Sequence, residues 1–139
     1  MPEKTPYVLD DQIGYLLRRV TQRHLVIFSE IIPGITTTQF AALARLAELG
    51  PLSQNLLGRE TAMDAATIKG VVDRLAKQGL LATTADPIDR RRLTVALTEA
   101  GRALFTRTRD AGLAVSAQTL EPLSAAERAT LLGLLARLT

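Results

Sequence analysis

The segment Asp86-Pro87-Ile88-Asp89-Arg90-Arg91-Arg92-Leu93-Thr94-Val95-Ala96-Leu97-Thr98-Glu99-Ala100-Gly101 limits what this 139-residue chain can fold into more than any other. Asp86-Pro87 opens a proline-containing turn, because proline presets φ. Leu93, Val95 and Leu97 then alternate with smaller residues, the period of a half-buried strand. The run from Leu80 to Thr84 can return alongside it, giving a short hairpin whose tip carries three consecutive arginines. Like charges held together at one tip repel, so the tip calls for something anionic to meet it.

Around the hairpin the periodicity is helical. Residues 1–10 read as a short tail, and a helix is expected from Gln12 to Ile32, with Ile13, Leu17, Val20, His24, Ile27 and Ile31 on one stripe. Leu16, Leu25, Val26 and Phe28 widen its apolar surface beyond one face, which suggests a partner, a second copy first of all. Pro33-Gly34 stops it. Thr36 and Gln39 form a capping-box pattern for a helix Thr37 to Leu49, burying Phe40, Leu43, Leu46 and Ala47. Ser53 is a good N-cap for Gln54 to Glu60, and Asp64 for Ala65 to Gln78, whose Ile68, Val71, Val72 and Leu75 point inward. Beyond the hairpin, a helix is expected from Glu99 to Thr119, with Leu104, Thr108, Ala111 and Val115 on one face. Pro122 ends it, and Ser124 with Glu127 caps a last helix carrying Leu131, Leu134, Leu135 and Leu138.

Composition closes several routes. Aromatic residues make up 4% of the chain against 47% apolar, so the core must be aliphatic, which suits a mostly helical protein. The net charge of +3 permits nucleic-acid binding without demonstrating it. There is no cysteine, which rules out disulfides and thiol redox sensing, and a single histidine argues against structural zinc. Met1 to Asp11 is polar and does not read as a signal peptide, and no apolar run reaches membrane-spanning length, so a cytoplasmic protein is expected.

Helix, three-residue turn at Thr61-Ala62-Met63, helix is the signature of a helix-turn-helix, and the arginine hairpin behind it makes a winged one. The expected fold is mainly α with a small β-hairpin wing. It divides into a tail and dimerisation helix (1–34), a winged helix-turn-helix (35–101) and C-terminal dimerisation helices (102–139), intertwined as one domain. The order of elements resembles the MarR family of bacterial transcriptional regulators. The resemblance is carried by Val72-Asp73-Arg74-Leu75 with Gly79-Leu80, by Asp86-Pro87-Ile88-Asp89-Arg90-Arg91, and by Val95-Ala96-Leu97-Thr98-Glu99-Ala100-Gly101. Each piece is weak alone; three in order at this spacing are specific. The resemblance implies a homodimer on a pseudo-palindromic DNA operator, usually a repressor, released by a small anionic and often aromatic effector. One departure is that Thr83 and Thr84 are neutral where many relatives carry a basic residue.

As a member of that family the chain would place Arg91 in the minor groove, where a narrow groove's negative potential attracts it. Arg90 and Arg92 would meet phosphates, and Asp89, barred from DNA by its charge, would orient an arginine. At the start of the recognition helix, Ala65, Ala66, Thr67, Lys69 and Gly70 are the positions open to base edges. Gly70 costs about 1 kcal/mol relative to alanine inside a helix, which a close approach to DNA or to a neighbouring helix would offset. Ser53, Gln54 and Asn55 would hydrogen-bond phosphates, and Arg74 would serve as an ion-pair partner or phosphate contact. Without the resemblance, the arginine run could be a solvated charged surface. A winged-helix module binding protein instead of DNA is the competing function.

Relatives controlling aromatic-acid degradation bind carboxylates through a first-helix arginine and a histidine six residues on, and Arg18 and His24 have that spacing. Arg18 or Arg19 offers a bidentate fork and His24 a donor, with Tyr15 nearby and Phe28 and Phe40 able to flank a ring. The implied effector is an aromatic carboxylate, free or as a thioester. His24 has a plainer reading as a satisfied core residue. No nucleophile–base pair, phosphate-binding loop or metal cluster points to an enzyme, and no cofactor is expected.

Overall fold

The computed structural model describes residues 2–139; Met1 of the expected tail lies outside them. The described residues form six helices and a three-stranded antiparallel sheet: α1 (Ile13–Ile31), α2 (Thr37–Leu49), β1 (Leu52–Ser53), α3 (Gln54–Glu60), α4 (Ala65–Lys77), β2 (Leu81–Ala85), β3 (Leu93–Leu97), α5 (Glu99–Thr119) and α6 (Ala125–Arg137). A single 3-10 turn, Leu9–Asp11, precedes α1. Strand β3 is central, pairing with β2 from Leu81↔Leu97 to Ala85↔Leu93 and with β1 at Leu52↔Val95 and Ser53↔Thr94.

The helix starts follow the sequence closely. Thr36 Oγ1 accepts from the amide of Gln39, whose Oε1 accepts from the amide of Thr36, and Ser124 and Glu127 repeat that reciprocal pair. Ser53, Asp64 and Thr98 cap α3, α4 and α5 through single side-chain acceptors. The expected hairpin is present, but it belongs to a three-stranded sheet: β1 passed unpredicted. Phe40 and Ala47, expected inside, are only half-buried.

The main core lies between α2, α3, α4 and the sheet. Leu43, Leu57, Ile68, Val72, Leu75 and Val95 are sealed from water there. Complete burial of an aliphatic side chain contributes about 1.5–3 kcal/mol, so this cluster is what fixes the helix-turn-helix and its wing, the candidate reader. A second, smaller cluster joins Ile27, Phe28 and Ile32 to Val115 of α5. Phe40 packs against this second group, while Phe105 packs against the first.

Helix α5 begins hard against the reader. Thr98 Oγ1 donates to the carbonyl of Gly79 at 2.6 Å, and its amide donates to that of Leu80. Gly101 sits directly beneath the Leu80 carbonyl, and a Cβ at that position would fall onto the oxygen. This close approach explains why the pattern Leu97-Thr98-Glu99-Ala100-Gly101 ends in glycine. At its other end, α5 is tied to α1: Arg23 donates to the carbonyls of Thr119 (2.7 Å) and Gln118 (3.0 Å). Helix α6 buries no residue at all. Among the described residues no helix is long and apolar enough to cross a membrane.

Candidate DNA-binding surface and effector hollow

The start of α4 is built to face outward. Asp64 Oδ1 accepts from the Thr67 amide at 2.7 Å, and the bonds from Thr67 hold its carboxyl below the ordinary value of 3.8. The cap fixes the first turn, and the apolar set Ile68, Val71, Val72 and Leu75 fixes the rotation of the helix. Ala65, Ala66, Thr67, Lys69, Gly70 and Arg74 are consequently all exposed. A Cβ built on Gly70 meets nothing within 4 Å, so packing against a neighbouring helix of this chain does not account for that glycine. Lys69 Nζ is held by Asp73 at 2.8 Å one turn on. No carboxylate lies within 4 Å of Arg74 among the described residues, which removes the ion-pair reading for it.

Of the three residues expected to meet phosphates from the first helix of the motif, Asn55 is exposed and Gln54 half-buried. Ser53 is half-buried, pairs with Thr94 in the sheet and spends a lone pair of its hydroxyl on the Leu56 amide at 3.2 Å. Its first task is therefore structural.

Two aspartates shape the wing tip. Asp86 Oδ1 accepts from the amides of Ile88 (2.8 Å) and Asp89 (3.0 Å), and its own amide donates to the Arg92 carbonyl. Those two amides, helped by the charge of Arg92, hold the Asp86 carboxyl below 3.8. Asp89 Oδ1 accepts from the Arg91 amide at 3.1 Å and lies 3.5 Å from Arg91 Nε. The orienting role expected of Asp89 thus has a geometric basis, and Asp86, read from sequence as a turn former only, is the residue that closes the loop. Arg90, Arg91 and Arg92 are all exposed, and the Arg91 side chain is 95% so.

The six residues expected around an effector separate into two places. His24, Phe28 and Phe40 line one hollow of about 180 Å³ between α1, α2 and α5, together with Thr37, Gly112 and Ser116. Tyr15 and Arg18 line another, beside Tyr7, Leu9 and Gln12, and Arg19 lies over the Tyr15 ring at 6.0 Å. A step of six residues turns about 240° around a helix axis, so Arg18 and His24 leave α1 in different directions. Within one chain the hollow contains no arginine. His24 Nδ1 lies 2.8 Å from Thr119 Oγ1, so one ring nitrogen is already satisfied. The side chain also borders an apolar groove of about 400 Å³ between α1, α5 and α6, lined by Leu17, Val20, Leu120, Leu131 and Leu135.

Comparison with known proteins agrees with this fold. Residues 34–92 match the sequence model of the MarR family. The HTH-type transcriptional repressor NicR of Pseudomonas putida is 40% identical over 138 residues, covering 98% of this chain and 87% of NicR. The structure of Bordetella bronchiseptica BpsR, whose DNA binding is regulated by 6-hydroxynicotinic acid, superimposes with a TM-score of 0.92. It is 39% identical over 96% of this chain and 97% of that one. The PcaV regulator of Streptomyces coelicolor in complex with its natural ligand gives a TM-score of 0.90 at 31% identity, over 97% and 96%.

Proposed function

The chain belongs to the MarR family, and from that premise we propose that it is a homodimeric repressor released from a pseudo-palindromic operator by a free, single-ring aromatic carboxylate. That it is a transcriptional regulator of winged-helix type, and not an enzyme, follows from the family itself. The observation that carries the DNA-reading surface is the pairing of an outward-facing α4 with a closed, exposed arginine tip. In this reading Arg91 enters the minor groove, Arg90, Arg92, Asn55, Gln54 and Arg74 meet phosphates, and Ala65, Ala66, Thr67, Lys69 and Gly70 lie along the major-groove floor. Ser53 contributes its hydroxyl proton to a phosphate while its oxygen caps α3.

Support for a dimer comes from what one chain leaves uncovered. Ile13, Leu16, Leu17, Val20, Leu25 and Val26 of α1 and Leu132 and Leu134 of α6 are exposed. Soluble chains rarely leave contiguous apolar surface on this scale without a partner. Arg18, Arg19 and Tyr15 join the effector reading through that dimer, since the apolar neighbours of Arg18 are the ones a second copy covers.

Size supports a single ring. Cavities of about 150 Å³ accept benzene, and the hollow at His24, Phe28 and Phe40 is of that order, at about 180 Å³. A carboxylate there meets His24 and the hydroxyls of Thr37 and Ser116. The test is fluorescence anisotropy on DNA upstream of the protein's own gene, at about 150 mM salt with excess random competitor. Binding should survive the competitor and be reversed by 6-hydroxynicotinic or 4-hydroxybenzoic acid. Arg91→Ala should lower affinity by roughly 5–150-fold. Binding that random DNA removes completely would leave the competing protein-interaction module as the better account.

A further inference from the structure

Gly112 faces the hollow from α5, and Phe40 faces it from α2. The two touch in a way no other residue at 112 would allow. A Cβ built on Gly112 would lie 2.7 Å from Cζ and 3.0 Å from Cε1 of Phe40. Ordinary carbon–carbon contact begins near 3.5 Å, so even one methyl group at 112 must move the ring.

The ring has few places to go. Phe28 stands 5.8 Å from it, centroid to centroid and edge-on at 70°, and Phe105 stands 5.8 Å away at 45°. These are the only three phenylalanines in the chain, and Phe40 is the middle member of the row. Two phenyl rings already pack against it and the α5 backbone stands at its edge, while the hollow it lines is unfilled space, so a displaced ring is expected to enter the hollow. Glycine inside α5 is otherwise a poor choice, because alanine is the better helix former.

We propose that Gly112 is the specificity-determining position of the effector hollow: by carrying no side chain it lets Phe40 lie against α5, and that seat sets the space left for a ring. The inference rests on the effector reading above. It adds that the size limit is set by contact between α2 and α5 rather than by the polar groups that hold the carboxylate.

The experiment is calorimetry of 6-hydroxynicotinic, 4-hydroxybenzoic and benzoic acids with wild type, Gly112→Ala, Phe40→Leu and Gly112→Ala/Phe40→Leu. Melting temperature and DNA anisotropy are followed in parallel. Gly112→Ala should bind DNA within about threefold of wild type and lose at least tenfold in affinity for whichever acid the wild type binds. Phe40→Leu gives up a ring contact of its own, so it is the reference for the double variant: leucine lacks the atoms that clash, and adding Gly112→Ala to it should change acid affinity by less than about threefold. Equal acid binding by wild type and Gly112→Ala overturns the proposal and leaves the effector reading standing. A loss from Gly112→Ala that is as large in the Phe40→Leu background as in wild type also overturns it, since the route through Phe40 is then wrong. If the wild type binds none of the three acids, the effector reading falls and takes this inference with it.

Discussion

The reader and the outer helices of this chain are built on opposite plans. Around α2, α3, α4 and the sheet, most of the large aliphatic residues are sealed within one chain, and Leu43, Leu57 and Val95 have no exposed surface. Around α1, α5 and α6, the same kinds of residue line the outside, and only Ile27, Phe28, Ile32 and Val115 close into a cluster. The first region is a finished core; the second leaves apolar faces open, which is what the proposed dimer would cover. Each region holds one strongly amphipathic helix, α4 in the first and α1 in the second, so periodicity announces an apolar face without saying what will cover it.

The widest separation between the two plans should appear in thermal unfolding. Leu57→Ala removes a fully buried side chain and should cost about 2–5 kcal/mol, lowering the melting temperature at every protein concentration. Leu132→Glu changes a residue that is 55% exposed. It should instead abolish the rise of melting temperature with concentration that an associating protein shows, and sedimentation should find a single-chain species. A wild-type melting temperature indifferent to dilution would break the comparison outright.

A smaller effect sharpens it within the reader. The wing tip is exposed, so Asp86→Ala should leave the melting temperature nearly unmoved while DNA affinity falls roughly fivefold, the loop amides having lost their acceptor. The pH dependence has a definite sign. Asp86 and Asp64 are held below 3.8 in the folded chain. What they contribute is therefore complete above the unfolded value and is lost as pH falls through the lower folded values. Carboxyl titrations followed by NMR should place both below 3.8, and a midpoint at or above that value would mean the amide bonds are not kept in solution. The smallest effect belongs to the exposed pair Lys69–Asp73. Asp73→Ala should cost no more than about 0.5 kcal/mol of stability, and it should raise affinity for random DNA a few-fold by freeing Lys69, as a competition assay would show.

What the sequence made legible was whatever is encoded locally. Five N-caps, two of them reciprocal boxes, can be read from Thr36, Ser53, Asp64, Thr98 and Ser124 because a cap is settled within four residues. Strand β1 was not legible: Leu52–Ser53 is too short to show a period and exists only because β3 lies beside it. Arg23 escaped notice for a related reason, since the carbonyls it bonds are some 95 residues away in the chain. The grouping of Arg18 with His24 lies beyond one chain: helix geometry turns the two apart around α1, and one chain places them in different hollows. Gly112 gave no local signal either; its meaning lies in a ring carried by another helix.

Helix α5 is a rigid rod pinned at both ends, by Thr98 and Gly101 to the reader and by Arg23 and His24 to α1. Its 21 residues span about 30 Å at 1.5 Å per residue. A lever of that length converts a tilt of about 5° at one pin into about 3 Å of travel at the other. Half-sites on DNA recur every 34–36 Å or so, and hydrogen bonds to base edges are lost over a fraction of such a displacement. An adjustment too small to disturb any packed core can thus carry a recognition helix out of register with its groove.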